Sequence, residues 1–241
     1  IIDIGNTRAK VGVFADGQLL EVFFLRMEQL YELPQKAREW PVQGVGISTV
    51  RDLQPEFIRW ATNHFPLGLL INKETPLPIG KDYETPETLG MDRLAAVTGA
   101  WAEFPGRPSV VVDAGTCITT DLIDAGGVFR GGNISPGIDM RLRAMHEFTA
   151  RLPRLEKGPL AGLLGRSTAS AMRNGAQLGA MLEVAALVGN LQREYDKLNV
   201  LVTGGDADYF ARITETEIFV RPHLVLSGLN KILTYNAEQF S

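Results

Sequence analysis

Apolar residues along the first 25 positions recur in twos rather than in threes and fours. Ile1 and Ile2 open an apolar strand that meets a turn at Gly5-Asn6. Ala9, Val11 and Val13 then alternate with Lys10 and Gly12, the period of a half-buried strand. Asp16-Gly17 predicts a two-residue hairpin turn, which needs positive φ at its centre. Gln18 to Leu25 returns as a third strand. A helix is expected within 27–40, although Pro34 blurs its limits. A short strand over 42–48, a helix over 53–65 and a strand over 68–71 follow.

The same order then restarts. Val110-Val111-Val112 is an apolar strand leading into Asp113-Ala114-Gly115-Thr116, as Ile1-Ile2 leads into Asp3-Ile4-Gly5-Asn6. Thr119 to Ile123 is the second strand, Gly126-Gly127 a turn, and Val128 begins the third. This pattern predicts an internal duplication: two similar α/β halves, residues 1–108 and 109–241. Its period is too long for a solenoid. The second half continues with a helix after Pro136-Gly137, a polar linker near 153–166 and a long helix over 168–197. A buried strand at 200–202 runs into Thr203-Gly204-Gly205-Asp206, and a last helix spans 223–237.

Charge narrows the function classes. Lys and Arg number 24 against 28 Asp and Glu, a net −4, which argues against a general nucleic-acid binder. Cys117 is the single cysteine, so no intramolecular disulfide is possible and a reducing, cytoplasmic setting is expected. No apolar run reaches the ~18 residues of a membrane span, and no signal-peptide pattern opens the chain. Because the chain starts without Met inside a strand, a residue or more is expected ahead of Ile1.

Three turns suit phosphate. At Asp3-Ile4-Gly5-Asn6-Thr7, Gly5 lets backbone approach an anion, and the amides with the Asn6 and Thr7 side chains can donate to its oxygens. Asp3 has the chemistry to hold Mg²⁺ directly or through water, and Lys10 the charge to neutralise phosphate. Alone, this turn reads sooner as a plain hairpin with an Asp cap. Asp113-Ala114-Gly115-Thr116 is the second turn. In a duplicated fold both would lie at the carboxyl ends of central strands, where open α/β sheets bind ligands. Thr203-Gly204-Gly205-Asp206 is the third. Neither a P-loop nor a Gly-x-Gly-x-x-Gly run is present.

An acceptor site has its own candidates. Gly90-Met91-Asp92-Arg93 opens a helix with Thr88 as a possible cap. Asp92 either complements the helix dipole or accepts the proton of an attacking hydroxyl. Arg93 could grip a carboxylate or phosphate, and Tyr83 could line the pocket. Arg141, Arg143, His146, Arg151, Arg154 and Lys157 read as a solvated helix face and loop, and the three histidines show no zinc-ligand spacing.

Together these motifs resemble the type III pantothenate kinase family: Asp3-Ile4-Gly5-Asn6-Thr7 with Lys10 and Gly12, Leu89-Gly90-Met91-Asp92-Arg93, Asp113-Ala114-Gly115-Thr116, Gly131-Gly132-Asn133-Ile134-Ser135-Pro136-Gly137 and Thr203-Gly204-Gly205. The resemblance implies an actin-like, ribonuclease H-like ATPase fold with two halves around a nucleotide cleft. It implies ATP-dependent phosphorylation of pantothenate, the first step toward coenzyme A. ATP would be bound by Asp3, Ile4, Gly5, Asn6, Thr7, Arg8, Ala9, Lys10 and Thr116. Pantothenate would meet Tyr83, Gly90, Met91, Asp92, Arg93 and Thr168, with Asp92 as proton acceptor. Asp113 would hold a monovalent cation, potassium or ammonium, beside Mg²⁺ near Asp3. A homodimer is implied; from charge and apolar run length, no nucleic-acid or membrane partner is expected. The rival readings are another small-molecule kinase of the superfamily and a non-enzymatic regulator like the Bvg accessory factors. A regulator would be expected to lose Asp3 or Asp92, and both are present.

Overall fold

A computed structural model describes residues 1–5, 8–37, 41–160, 162–211 and 217–239. The chain divides into two compact units, residues 1–103 with 224–241, and residues 104–223. The expected division at residue 108 therefore differs in the last helix, which packs with the first unit.

In the first unit, β1 (Ile2–Ile4), β2 (Arg8–Ala15) and β3 (Gln18–Arg26) form an antiparallel meander. Asp16 and Gly17 have φ of 50° and 77°, so the hairpin turn is the primed type that the Asp-Gly pair selects. Two short helices, α1 (Met27–Leu30) and α2 (Leu33–Lys36), stand where one helix was expected. The second carries Pro34 in its first turn, where the missing N–H costs nothing. Residues 38–40 of that expected helix lie outside the described ones. β4 (Gly44–Thr49) pairs parallel with β1, and β5 (Leu67–Ile71) parallel with β4, across α3 (Pro55–Asn63). The strand order is β3-β2-β1-β4-β5. After a two-residue strand β6 (Gly80–Lys81) comes α4 (Met91–Glu103).

The second unit repeats this plan. β7 (Ser109–Ala114), β8 (Cys117–Ile123) and β9 (Val128–Pro136) form the meander. Then come α5 (Ile138–Glu147), α6 (Thr168–Arg173) and α7 (Gly179–Glu194). β10 (Asn199–Thr203) pairs parallel with β7, α8 (Ala207–Phe210) follows, and β11 (Ile218–Val220) pairs parallel with β10. These five strands, in the order β9-β8-β7-β10-β11, repeat the order and sense of β3-β2-β1-β4-β5. This is the duplication that the repeated Asp-containing turns predicted. Val110–Val112 and Val200–Val202 are fully buried, as parallel strands covered on both faces must be. The helix expected over 168–197 is interrupted by a π-turn at Asn174–Leu178 and stops at Glu194.

The last helix, α9 (Leu224–Gln239), buries Leu226, Leu229 and Ile232 within the first unit and lies against α4. Their backbones meet closely. A Cβ at Gly228 would stand 1.7 Å from the Ala95 carbonyl oxygen, and one at Gly99 2.8 Å from that of Leu224. Gly228→Ala must push two buried helices apart, and overpacking of this kind costs ~1–3 kcal/mol or more. Thermal unfolding should show the loss. A midpoint unchanged from the parent would mean the crossing has slack.

Candidate active site

The carboxyl end of β1 and the amino end of α4 carry the first group. Asp3 lies opposite Lys10 in the sheet, and the Gly5 N–H closes the turn on the Arg8 carbonyl at 3.2 Å. Burial, then the negative charge of Asp92, push the Asp3 carboxyl up to about 6, against the smaller pull of Lys10. The two carboxylates therefore sense each other, and Lys10 faces the same place. Ile4 and Ala9 are fully buried, so only their backbones are available to a ligand. Asn6 and Thr7 lie outside the described residues.

Asp92 is an exposed residue in the first turn of α4, with its Oδ1 accepting the Arg93 N–H at 2.8 Å. Gly90 makes room for this, because a Cβ there would lie 2.4 Å from that oxygen. The carboxylate is thus held by its own helix start, and a capping contact coexists with closeness to Asp3. Thr88 is not the cap: its hydroxyl donates to the Thr85 carbonyl at 2.8 Å. Met91 packs beside Ile71, Ala95, Leu229 and Ile232 and braces the turn from beneath. Arg93 is 6% exposed, and its guanidinium carbon sits 5.9 Å from the centre of the Tyr83 ring, so the loop tyrosine and the arginine do meet.

One participant was not foreseen. Phe24 pairs with Lys10 across β2 and β3, and its ring carries the Arg8 guanidinium at 4.3 Å and the Lys10 ammonium at 6.0 Å. Phe23 and Phe24 are consecutive in a strand and so point to opposite faces, which was the available signal. It holds two cations beside the first phosphate-type turn.

The second unit carries the other group. Asp113 ends β7 next to Ala114, and Gly204 follows β10 with φ of 93°. A Cβ at Gly204 would lie 2.3 Å from the Ala114 carbonyl oxygen and 2.6 Å from Asp113 Oδ1. No L side chain suits that backbone or that space. The Gly115 N–H donates to the Cys117 carbonyl, and the Gly137 N–H to the Thr116 carbonyl, leaving Thr116 exposed at the tip of its turn. The Asp113 turn and the Gly-Gly turn are thus neighbours, with backbone and small residues lining both. Thr168 is exposed at the first position of α6, behind the Ser167 cap. Cys117 is partly exposed at the start of β8.

The cations of the 141–157 stretch are less free than a solvated face would make them. Arg141 donates to Pro136 O at 2.8 Å and pairs with Glu183 at 2.7 Å, while Lys157 bridges two aspartates.

Comparison with known proteins places this arrangement. Residues 1–190 match the family model for type III pantothenate kinase. A type III pantothenate kinase of Bacteroides fragilis is 42% identical over 237 residues, covering 98% of this chain and 97% of its own. One from Cytophaga hutchinsonii is 40% identical over 239 residues, covering 98% of each. Among solved structures, a conserved Baf family protein of Campylobacter jejuni, named as a candidate transcriptional activator, superposes with TM-score 0.63 at 25% identity, covering 98% of each chain. A ROK family glucokinase from Streptomyces griseus, in complex with glucose and AMPPNP, gives TM-score 0.51 at 13% identity over 97% of each chain, a likeness of fold alone. With the duplicated sheets and the motifs at Asp3, Asp92 and Asp113 in place, the chain belongs to the type III pantothenate kinase family.

Proposed function

We propose that this protein transfers the γ-phosphoryl group of ATP to the primary hydroxyl of pantothenate, the first step toward coenzyme A. The observation that carries the reading is the grouping of Asp92, Asp3 and Lys10 at the end of β1 in a chain of this family. An acceptor carboxylate, a second carboxylate suited to a divalent cation and a cation for phosphate form the minimal set for phosphoryl transfer.

In the first unit, Asp3 to Lys10 would receive the phosphates through the Gly5 turn, with Arg8 and Lys10 offsetting their charge. In the second unit, Thr116 would take part in holding the nucleotide. Asp92 would orient the pantothenate hydroxyl and accept its proton as the bond to phosphorus forms. Tyr83, Gly90, Met91 and Arg93 would shape the acceptor pocket, Arg93 pairing with the substrate carboxylate or the transferring group.

Magnesium fits Asp3, whose carboxylate is poorly compensated by its surroundings, and when bound it supplies charge neutralisation to the phosphates. A monovalent cation fits Asp113, whose carboxylate faces a cradle that a Cβ at Gly204 would fill. Activity should accordingly rise with potassium or ammonium. Equal rates in sodium, potassium and cation-depleted buffer would remove this role from Asp113.

Homodimer formation is supported by apolar side chains exposed on the second unit, Phe148, Leu163, Leu164 and Leu182 among them. Two-fold symmetry is the commonest among homo-oligomers. Thr168 starts the helical stretch that carries Leu182, and would serve an acceptor pocket from there.

A coupled assay of ADP release, with and without pantothenate, tests the proposal. Pantothenate-dependent release is expected. Release with a sugar instead would indicate another small-molecule kinase, and none at all would favour the regulatory role that the Campylobacter protein's name suggests.

A further inference from the structure

Lys157 is the point where three separate segments of the second unit converge. Its ammonium donates to Asp206 Oδ1 at 2.6 Å and pairs with Asp139 Oδ2 at 3.0 Å. Asp206 closes the Gly204-Gly205 turn, and its own N–H is bonded to the Ala114 carbonyl at 2.9 Å. Asp139 lies in the first turn of α5, one helix start beyond Gly137, whose N–H is bonded to the Thr116 carbonyl at 3.0 Å. One side chain thus ties together the backbone behind the Thr116 turn and the backbone of the Gly-Gly turn.

The lysine is itself fixed from behind. Gln177, in the π-turn, accepts the Gly158 N–H at 2.9 Å and donates to the Gly158 carbonyl at 2.7 Å. Arg173 Nε donates to the Glu156 carbonyl at 3.1 Å. Both residues flanking Lys157 are therefore anchored to the helical stretch, and the side chain reaches forward from a rigid base. Burial opposes its charge, but the hydrogen bonds it donates to Asp206 and Asp139, with their negative charges, outweigh that and raise its pKa above the ordinary lysine value. The ammonium persists across physiological pH, and the side chains of Lys157 and Asp206 are 28% and 12% exposed. A partly sheltered pair of this kind is held more firmly than a surface bridge.

We infer that Lys157 is a positioning residue for the nucleotide: it sets the spacing between the Gly204-Gly205 turn and the Thr116 turn without touching ATP. This rests on the reading of those turns as nucleotide-binding, not on the identity of the acceptor. A turn displaced by a fraction of an ångström would lose backbone contacts to the nucleotide, since a close-packed backbone site has no side chain to reach across the gap.

The test is direct equilibrium binding of a non-hydrolysable ATP analogue to the full chain, with steady-state KM values for ATP and for pantothenate. Lys157→Met keeps length and removes charge. It should weaken nucleotide binding and raise the ATP KM about tenfold, about 1.4 kcal/mol, with the pantothenate KM within about twofold of the parent. Lys157→Arg should restore most of the affinity. Asp206→Asn, which keeps the shape of the turn but weakens the clamp, should move the ATP KM in the same direction and serves if Lys157→Met does not fold. Unchanged nucleotide affinity in the folded variants, or equal rises in both KM values, would overturn the inference. A parent that binds the analogue yet leaves pantothenate unphosphorylated would overturn the proposed acceptor while leaving this inference open to the same binding test.

Discussion

Replacing Asp92 with Asn lowers turnover by ~10²–10⁴-fold, the usual contribution of a general base, and leaves nucleotide binding nearly unchanged. Stability should barely move. The Arg93 N–H is held by Asp92 Oδ1 at 2.8 Å, and an asparagine carbonyl oxygen can accept the same bond. Asn cannot take the hydroxyl proton. A second readout follows from the neighbouring carboxyl: Asp92's charge is one cause of the raised Asp3 pKa, so the neutral variant should let Asp3 titrate at lower pH. Turnover within a few-fold of the parent would reduce Asp92 to a helix cap and leave the site without a base.

Asp3→Asn should destroy activity and stabilise the ligand-free protein. The ordinary carboxyl pKa of 3.8 rises to about 6 in the folded chain, chiefly through burial. The folded state thus holds a proton that the unfolded chain has already released between pH ~4 and ~6. Through that window, stability from this group falls as pH rises, and above pH ~6 the whole cost remains. At 1.36 kcal/mol per pKa unit, the cost is about 3 kcal/mol as an upper bound. The neutral amide avoids it, so the variant's melting temperature should exceed the parent's at pH 8 and converge with it near pH 4. Equal melting temperatures at pH 8 would mean that Asp3 is not strained by its surroundings. A variant retaining full activity would remove Asp3 from the phosphate site.

The duplication and most strands were legible in the residues because they are written in local chemistry. The Asp16-Gly17 pair fixes a turn by its φ values, and runs such as Val110–Val112 have no alternative to the core. Each of the two carboxylates could be named from its motif, and Asp3 and Asp92 are electrostatic neighbours in the folded chain. Three things were not legible. The π-turn at Asn174–Leu178 answers to the Gly162 and Gly158 carbonyls, to which Asn174 and Gln177 donate, a tertiary demand invisible to helical periodicity. The cation platform of Phe24 depends on cross-strand register. The affiliation of α9 depends on contacts between residues more than a hundred positions apart, such as Gly228 against Ala95.

That affiliation has a consequence for how the protein comes into being. Residues 104–223 are continuous, so their unit can close on itself while the ribosome is still adding the remainder. The first unit cannot. The five strands of its sheet emerge early, but Leu226, Leu229 and Ile232 are made only after the whole second unit. Until then the face of β4 and β5 that α9 covers, and the α4 side facing Gly228, stay open to water. The part synthesised first is the part completed last. Slow synthesis should therefore expose the nascent amino-terminal sheet to chaperones or aggregation, and the final sixteen-residue helix is the step that ends that exposure.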